Sequence, residues 1–350
     1  MRRVTTLAAA FFAAALVLTS CGGSDDDTTT TPKDDTSSSA AASEIKVGLA
    51  YDIGGRGDQS FNDAAAAGLD KAKSELGVET NEAEAGNGEA ESAKEERLRA
   101  LASAGFNPVI AVGFAYSASV AKVAKELPDT QFAIIDDAAA VGDNIANLLF
   151  AEEQGSFLVG AAAALKSEAG NVGFVGGVEV PLIQKFEAGF RAGAEAVNPD
   201  VEVQVTYLTQ PPDFSGFGDP AKGKTAAAGM YDAGADVVYQ AAGGSGGGVF
   251  EAAQDAGAFA IGVDSDQYNT ADPAVKDVII TSMLKKVDVA VFDFIQSVVD
   301  GNFAAGPITY DLEKDGVGYS TSGGQVDDIA DQLEEFKTQI IAGDITVPTE

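Results

Sequence analysis

The chain has 350 residues and a formal charge of −32, and it contains no histidine, no tryptophan and one cysteine. The lack of histidine excludes Ser-His-Asp and Cys-His catalysis and His-ligated metal sites, and a single cysteine excludes a disulfide within the chain. Because so acidic a surface repels nucleic acid and anionic lipid headgroups, we expect no nucleic-acid partner.

The N-terminal segment is typical of an exported, lipid-anchored protein. Residues 1–20 combine a short basic start with an apolar stretch too short to span a bilayer, as in a signal peptide. Cys21 lies in the sequence LTSCG, which resembles a bacterial lipobox, where the cysteine is acylated and becomes the new N-terminus. Two or more acyl chains anchor a protein stably, so we expect an outward-facing protein held to the cell membrane by lipid alone. The alternative is a plain signal peptide with a chance cysteine.

The next segment, residues 22–43, is polar, repetitive and free of aromatic residues, which predicts a disordered tether. From residue 45 onward, apolar strand patterns alternate with alanine-rich helix patterns. The predicted strands are 45–51, 78–82, 109–112, 132–135, 144–150, 172–175, 201–208, 237–240, 260–263, 278–283, 308–310 and 317–319. The predicted helices are 60–76, 89–104, 117–126, 155–165, 182–197, 222–233, 248–255, 287–300 and 327–341. Two successive series of this kind predict two similar α/β lobes.

The loop after the first strand is the first candidate binding element. Asp52 follows the strand, three glycines follow Asp52, and Ser60 with Asp63 forms a capping-box pattern at the start of the next helix. Phe61 and Asn62 therefore fall in the first turn of that helix. Since ligands of open α/β sheets bind at the carboxyl ends of the strands, this loop is expected to contact a ligand. The alternative is an ordinary loop before a well-capped helix.

Eight segments taken together resemble one known family. They are QSFN (59–62), FAEEQGSFLVG (150–160), VGFVGG (172–177), KFEAGF (185–190), DPAKG (219–223), QAAGGSG (240–246), GVDSDQ (262–267) and TSMLK (281–285). The set resembles the basic membrane protein family, the PnrA-like purine nucleoside-binding lipoproteins that serve ABC transporters as substrate-binding proteins. The resemblance covers residues 45 to 345.

The resemblance implies a type I periplasmic-binding-protein fold, in which two Rossmann-like lobes with parallel sheets are joined by three crossovers. The expected N-lobe is 44–150 plus 284–312, and the expected C-lobe is 151–283 plus 313–350. It also implies a purine nucleoside in the cleft between the lobes, delivery to ABC permease subunits, and neither catalysis nor a cofactor.

The expected ligand contacts begin with the purine base. Phe61 matches the family's Ser-Phe-Asn motif and Phe217 its aromatic before Asp-Pro, so the two rings are expected to stack on the base. Phe214 remains an alternative to Phe217, because the segment 210–214 resembles an insertion and makes the alignment with the family's motif ambiguous. Asn62 offers a donor and an acceptor to a base edge, and Asp52 could accept from the base or the ribose, or simply brace its loop.

The ribose contacts are expected on the C-lobe. Asp264, at a strand end, could accept hydrogen bonds from both vicinal hydroxyls, and Lys285 could donate to the same sugar or be a surface or hinge lysine. Gly243 and Gly244 would let the backbone approach the ribose closely, with a helix starting at Gly248 behind them.

A last pair, Tyr116 and Ser117, follows the third strand and is also assigned to the ligand site. Many relatives have an acidic residue near Ser117 that could contact the purine, so a serine leaves the base preference open.

Other functional classes are less well supported. The glycine-rich stretches lack the third glycine of a dinucleotide fingerprint and the Lys-Ser/Thr of a P-loop. Asp136-Asp137 and Asp264-Ser265-Asp266 lack EF-hand spacing, so no metal is expected. Asp52 with Asp58 is a poor match to a nucleoside hydrolase cluster. The alternatives that remain are a receptor for a sugar or another small ligand on the same fold, and a lipid-anchored antigen or sensor without a transporter.

Overall fold

A computed structural model describes residues 44–86 and 88–350. The predicted signal peptide, the lipidation site Cys21 and the tether lie outside the described residues. The strands are β1 Lys46–Ala50, β2 Glu79–Ala83, β3 Val109–Ala111, β4 Phe132–Ile135, β5 Ile145–Phe150, β6 Asn171–Val178, β7 Glu202–Thr209, β8 Val237–Ala241, β9 Phe259–Asp264, β10 Ile279–Lys285, β11 Gly306–Tyr310 and β12 Val317–Tyr319.

The helices are α1 Phe61–Leu76, α2 Glu91–Ser103, α3 Ser117–Glu126, α4 Glu152–Lys166, α5 Pro181–Val197, α6 Pro220–Asp232, α7 Gly246–Ala256, α8 Gln267–Thr270, α9 Val287–Val299 and α10 Ala330–Ala342. Every predicted helix and strand is confirmed, with ends that differ by a few residues. The one-turn helix α8 was not predicted, because four residues are too few to show a periodic pattern.

The strands form two six-stranded sheets, ordered β11-β5-β4-β3-β1-β2 and β12-β10-β9-β8-β6-β7. All pairs in the first sheet are parallel, and in the second only β12 runs antiparallel to its neighbour. The central strands of a parallel sheet are covered by helices on both faces and are therefore largely apolar; in β6 all eight residues are buried.

The chain passes between the two sheets three times: after β5, between β10 and β11, and between β11 and β12. Each sheet with its helices forms a lobe, and we call the one containing β1 the first lobe and the one containing β6 the second lobe. The lobe boundaries given above stay a prediction. Strand β10 itself continues in the second sheet as far as Lys285, two residues past the predicted boundary.

The start of α1 differs from the predicted capping box. Ser60 makes no side-chain cap; instead the Asp58 carboxylate accepts the backbone N–H groups of Ser60, Asn62 and Asp63 at 2.9, 2.8 and 3.1 Å. The carboxylate of Asp63 accepts the N–H groups of the preceding loop, at Gly57 and at residue 59. The predicted capping box was therefore wrong, and the hydroxyl of Ser60 is free for another partner.

Helices α4 and α5 touch through their backbones. A Cβ atom on Gly160 would lie 2.0 Å from the carbonyl oxygen of Phe190, and one on Gly193 would lie 1.9 Å from that of Phe157. Since real Cβ atoms do not approach oxygen so closely, only glycine permits this helix pair.

Replacing Gly193 with alanine should therefore lower the free energy of unfolding by roughly 1–3 kcal/mol, because the new methyl group forces the helices apart. Gly229 in α6 is the matched control, since a Cβ there meets nothing within 4 Å. Its change to alanine should raise the stability by about 0.4–1 kcal/mol. Urea unfolding of both variants measures this, and equal shifts of the same sign would contradict the close packing.

Within residues 44–86 and 88–350, no helix combines the length and the apolar character needed to cross a bilayer.

Candidate functional site

The carboxyl ends of the strands of the two lobes border one cavity, which we call the ligand cavity. It receives side chains from both lobes, and seven of the ten predicted ligand contacts line it. These seven are Asp52, Phe61, Asn62, Phe217, Gly243, Asp264 and Lys285. Residues that were not predicted also line it: Ile53, Asp58, Gly113, Phe114, Asp136, Leu182, Ile183, Phe186, Ala241 and Val263.

Asp264 ends β9 and joins the two lobes. Its Oδ2 accepts a hydrogen bond from the Ser60 hydroxyl at 2.7 Å, and the hydroxyl of Ser265 donates to the Ser60 carbonyl at 3.0 Å. The backbone of Asp264 has a φ of +62°, a left-handed conformation in which Asp and Asn are enriched. Burial raises the pKa of Asp264 to about 6, against the opposing effects of Lys285 and Ser60.

Asp52 is held by its own loop. Its Oδ1 accepts the N–H of Ile53 at 2.8 Å, and its N–H donates to Oδ1 of Asn62 at 3.0 Å. A Cβ on Gly113 would lie 2.4 Å from Oδ2 of Asp52, and Gly113 has a φ of +95°. Both the close contact and the left-handed backbone therefore require glycine at this position. Burial raises the pKa of Asp52 to about 6.

Asn62 is largely occupied by the same loop. Its Nδ2 donates to the Ile53 carbonyl at 3.3 Å and to Oδ2 of Asp58 at 3.0 Å, and its Oδ1 accepts from Asp52. Both amide hydrogens are used, so a ligand could bind only the remaining lone pair of Oδ1. Asn62 was predicted to offer both a donor and an acceptor to the edge of a base, but in the structure it can offer only one acceptor.

Lys285 ends β10 and lies in a buried cluster of charges. Its Nζ donates to Oδ2 of Asp136 and lies 3.5 Å from Oε1 of Glu152, and the exposed fractions of the three side chains are 2%, 5% and 1%. Burial alone would lower the pKa of Lys285, but the carboxylates of Asp136, Glu152 and Asp264 together raise it. An ammonium group has three N–H donors, so Lys285 can pair with both acids and still donate to a ligand.

Asp136 is a site residue that the sequence analysis considered only as a metal ligand. It follows β4 and has a φ of +64°, and its buried Oδ1 has no hydrogen-bond partner among the described residues. The signal that could have found it is the one used for Asp52: an acid directly after a buried parallel strand.

The aromatic walls come from both lobes. Phe61 begins α1, and the Nζ of Lys285 lies 4.9 Å from the centroid of its ring. Phe217 ends a one-turn 3-10 helix, and its ring packs against Gly177, where a Cβ would lie 2.4 Å from it. Phe214 packs edge-on against Phe114 of the other lobe instead, with ring centroids 6.0 Å apart. Of the two alternatives, Phe217 is the ring that lines the ligand cavity.

Three predicted contacts are not brought to the ligand cavity. The hydroxyl of Tyr116 is buried, donates to the Tyr51 carbonyl at 2.9 Å and accepts from Arg97 at 2.6 Å. Ser117 follows Tyr116 and begins α3. Phe114, from the turn that precedes α3, lines the ligand cavity instead of these two residues. Gly243, with a φ of +55°, lines the cavity, whereas its neighbour Gly244 does not.

The cavity has an excess of negative charge. Asp52, Asp58, Asp136 and Asp264 line it against the single cation Lys285. Such a cavity favours a neutral ligand rich in hydrogen-bond donors and disfavours phosphate groups. In the part of the chain that the structure describes, no group of three or more acidic or cysteine side chains is arranged to hold a metal ion.

The sequence is similar to known proteins over most of its length. The sequence model of the family described as "ABC transporter substrate-binding protein PnrA-like" matches residues 45–350. The CD4+ T-cell-stimulating antigen of Listeria monocytogenes is 35% identical over 326 residues, covering 87% of this chain and 88% of the relative. The ABC transporter nucleoside-binding protein BmpA of Lactococcus lactis subsp. cremoris is 33% identical over 327 residues, covering 88% and 90%.

Solved structures show the same fold. The crystal structure of an ABC transporter system solute-binding protein from Aeropyrum pernix superposes with a TM-score of 0.75 at 32% identity, covering 87% of this chain and 94% of that one. The predicted fold, two α/β lobes with parallel sheets joined by three crossovers, is confirmed.

Proposed function

Because the chain belongs to the PnrA-like family of ABC transporter substrate-binding proteins, we propose that it binds a purine nucleoside between its lobes and delivers it to permease subunits. We further propose that it is anchored through acylated Cys21 to the outer face of the cell membrane. Members of this family are the substrate-binding components of transporters rather than enzymes.

The observation that carries the proposal is that one cavity combines phenylalanine rings from both lobes, Phe61 and Phe217 among them, with acids and a lysine at strand ends. Phe61 and Phe217 can stack on a purine base, and Asp264 can accept both ribose hydroxyls. The remaining N–H of Lys285 can donate to the sugar. The acidic lining supports a nucleoside over a nucleotide.

The proposed transport step uses the contacts between lobes. Beside the hydrogen bonds of Ser60 with Asp264 and Ser265, the Nε2 of Gln267 donates to the Gln59 carbonyl of the first lobe at 3.0 Å. A ligand that touches both lobes has more contacts when they are closed, so it raises the closed population. The closed protein then docks on the permease.

The first test is calorimetry of the purified protein with adenosine, guanosine, inosine, uridine and ribose, after mass spectrometry of any ligand that copurifies. We expect a purine nucleoside to bind much more tightly than ribose or uridine, and its 5′-monophosphate to bind more weakly than the nucleoside. Ribose binding as tightly as nucleosides would identify a sugar receptor, and binding of none of them would overturn the proposal.

Replacing Phe217 with alanine should weaken nucleoside binding by about 1–3 kcal/mol, the contribution of one stacked ring. The same change at Phe61 should have a similar effect. Phe259 is the control, because it begins β9 at the end away from Asp264 and is 37% exposed. Titration of the three variants measures the effect, and equal affinities in all three would remove the rings from the site.

The affinity for nucleosides should fall as the pH is lowered from about 7 to about 5. Burial raises the pKa of Asp264 to about 6, and only the ionised carboxylate accepts from both hydroxyls. Below that pH, binding must release a proton, so affinity falls by up to about tenfold per pH unit for one such group. Calorimetry across this range measures the slope, and Asp264→Asn should make it shallower, leaving the contribution of Asp52, whose pKa burial also raises to about 6. Undiminished binding at low pH would contradict the role of an ionised Asp264.

A further inference from the structure

A second cavity of about 530 Å³ lies between the lobes; we call it the outer cavity. It shares Asp52 and Ile53 with the ligand cavity. The first lobe contributes Ala85 and Ala115 to its wall, and the second lobe contributes the segment 212–215. Asp264 and Lys285 line the ligand cavity and not the outer one, so the border between the two cavities lies at Asp52 and Ile53.

Three of the five charged residues that line the outer cavity, Glu89, Glu91 and Lys94, are already paired, while among the described residues Asp52 and Asp213 accept only backbone N–H groups. The Nζ of Lys94 donates to the Ala115 carbonyl at 2.7 Å and lies 3.3 Å from Oε2 of Glu91, while Glu89 is paired with Arg97. A ligand group that entered here would therefore find the only lysine among the described residues of the lining already paired, so an anionic group would lack a counterion.

Much of the remaining wall is apolar. Ile53, Ala85, Pro212 and Phe214 contribute to it, and Phe214 is fixed by its edge contact with Phe114. An apolar cavity of about 150 Å³ is already enough to hold benzene, so the outer cavity has room for a group of that size. Its chemistry fits a neutral and largely apolar substituent.

The orientation of a nucleoside would direct such a substituent outward. With the ribose at Asp264 and Lys285 and the base between Phe61 and Phe217, the far edge of the base points towards Asp52, where the two cavities meet. A group on the exocyclic amine of the purine would then extend into the outer cavity.

We propose that the outer cavity binds a neutral, largely apolar substituent on the base, so that the protein accepts purine nucleosides substituted on the exocyclic amine. This inference rests on the proposed function and names a wider substrate class for the same site.

Calorimetry of the full-length protein with two matched pairs tests it: adenosine with N6-benzyladenosine, and guanosine with N2-benzylguanosine. For the nucleoside that binds, we expect the benzyl derivative to bind within about threefold. A loss of tenfold or more would overturn the inference while leaving the proposed function intact. If neither adenosine nor guanosine binds, the inference fails, because no bound nucleoside then carries an exocyclic amine; the proposed function fails only if inosine does not bind either. If 5′-benzylthio-5′-deoxyadenosine bound well and the base-substituted compounds did not, the sugar and not the base would lie nearest the outer cavity. That result would also overturn the inference.

Two variants fill the outer cavity from different positions, Ala115→Phe and Ala85→Phe. Each should lower the affinity for the benzyl derivative relative to the parent nucleoside by about tenfold or more, because the new ring occupies the same space. Ala118→Phe, at an exposed position of α3, should leave that ratio unchanged. Thermal unfolding identifies the variants that fold, and an unchanged ratio in the folded outer-cavity variants would show the inference to be wrong.

Discussion

Replacing Lys285 with methionine should lower the free energy of unfolding by about 3–5 kcal/mol near neutral pH, because it leaves buried acids without their cation. The carboxylates of Asp136 and Glu152 are 5% and 1% exposed, so water cannot replace the lysine. Urea unfolding of the variant and the unmodified protein measures the loss.

The pH dependence of this variant has a definite sign. Burial raises the pKa of Glu152 even with Lys285 present, and removal of the lysine raises it further. The folded state then binds more protons than the unfolded state, so the stability of the variant should rise as the pH falls from about 7 to about 5. A second change, Asp136→Asn, should restore part of the lost stability at neutral pH.

Lys185 provides the matched control for this prediction. It also pairs with Glu152, at 3.4 Å, but its side chain is 36% exposed. A solvent-exposed lysine contributes little, so Lys185→Met should cost less than about 1 kcal/mol. If Lys285→Met lowered the free energy of unfolding as little as Lys185→Met, the buried cluster would not stabilise the protein.

Replacing Asp264 with alanine should weaken nucleoside binding by at least about 100-fold, because two hydrogen bonds to a charged acceptor contribute about 1.5–3 kcal/mol each. Calorimetry with the nucleoside that binds most tightly measures the loss. Unchanged affinity would remove Asp264 from the ribose site.

Two companion variants separate the possible causes of that loss. Ser60→Ala removes the contact between the lobes at Asp264 and leaves the carboxylate, so it should cost much less affinity than Asp264→Ala. Asp264→Asn suits the φ of +62° and keeps one acceptor oxygen, so it should give an intermediate affinity. Its thermal stability should not fall, because burial disfavours the charged form that it replaces. If Ser60→Ala lowered the affinity as much as Asp264→Ala, the loss would be due to weaker closure of the lobes and not to lost contacts with the ribose.

The sequence predicted the fold and the strand-end residues because both depend on local pattern. Buried parallel strands are apolar runs, and the acid or lysine at their carboxyl ends must lie at the same edge of a sheet. This reasoning located Asp52, Asp264 and Lys285. The same reasoning applies to Asp136, which follows β4 and lines the ligand cavity.

Which of the predicted residues line the ligand cavity depends on geometry that no local pattern shows. Within the turn after β3, the backbone turns Phe114 to the cavity and Tyr116 into the core, and neighbouring residues of a 3-10 turn cannot be told apart by hydrophobicity. Likewise the amide of Asn62 is used by Asp58 and Asp52. Only the folded loop shows which acid caps the helix.

The position of the Lys285 cluster determines how the lobes can move. Lys285 immediately precedes one passage between the sheets, Glu152 immediately follows another, and Asp136 belongs to the opposite sheet. The ion pair thus links the two lobes beside the segments that connect them. We expect the lobes to open by a rotation about this point, with the gap widening most on the side away from Lys285.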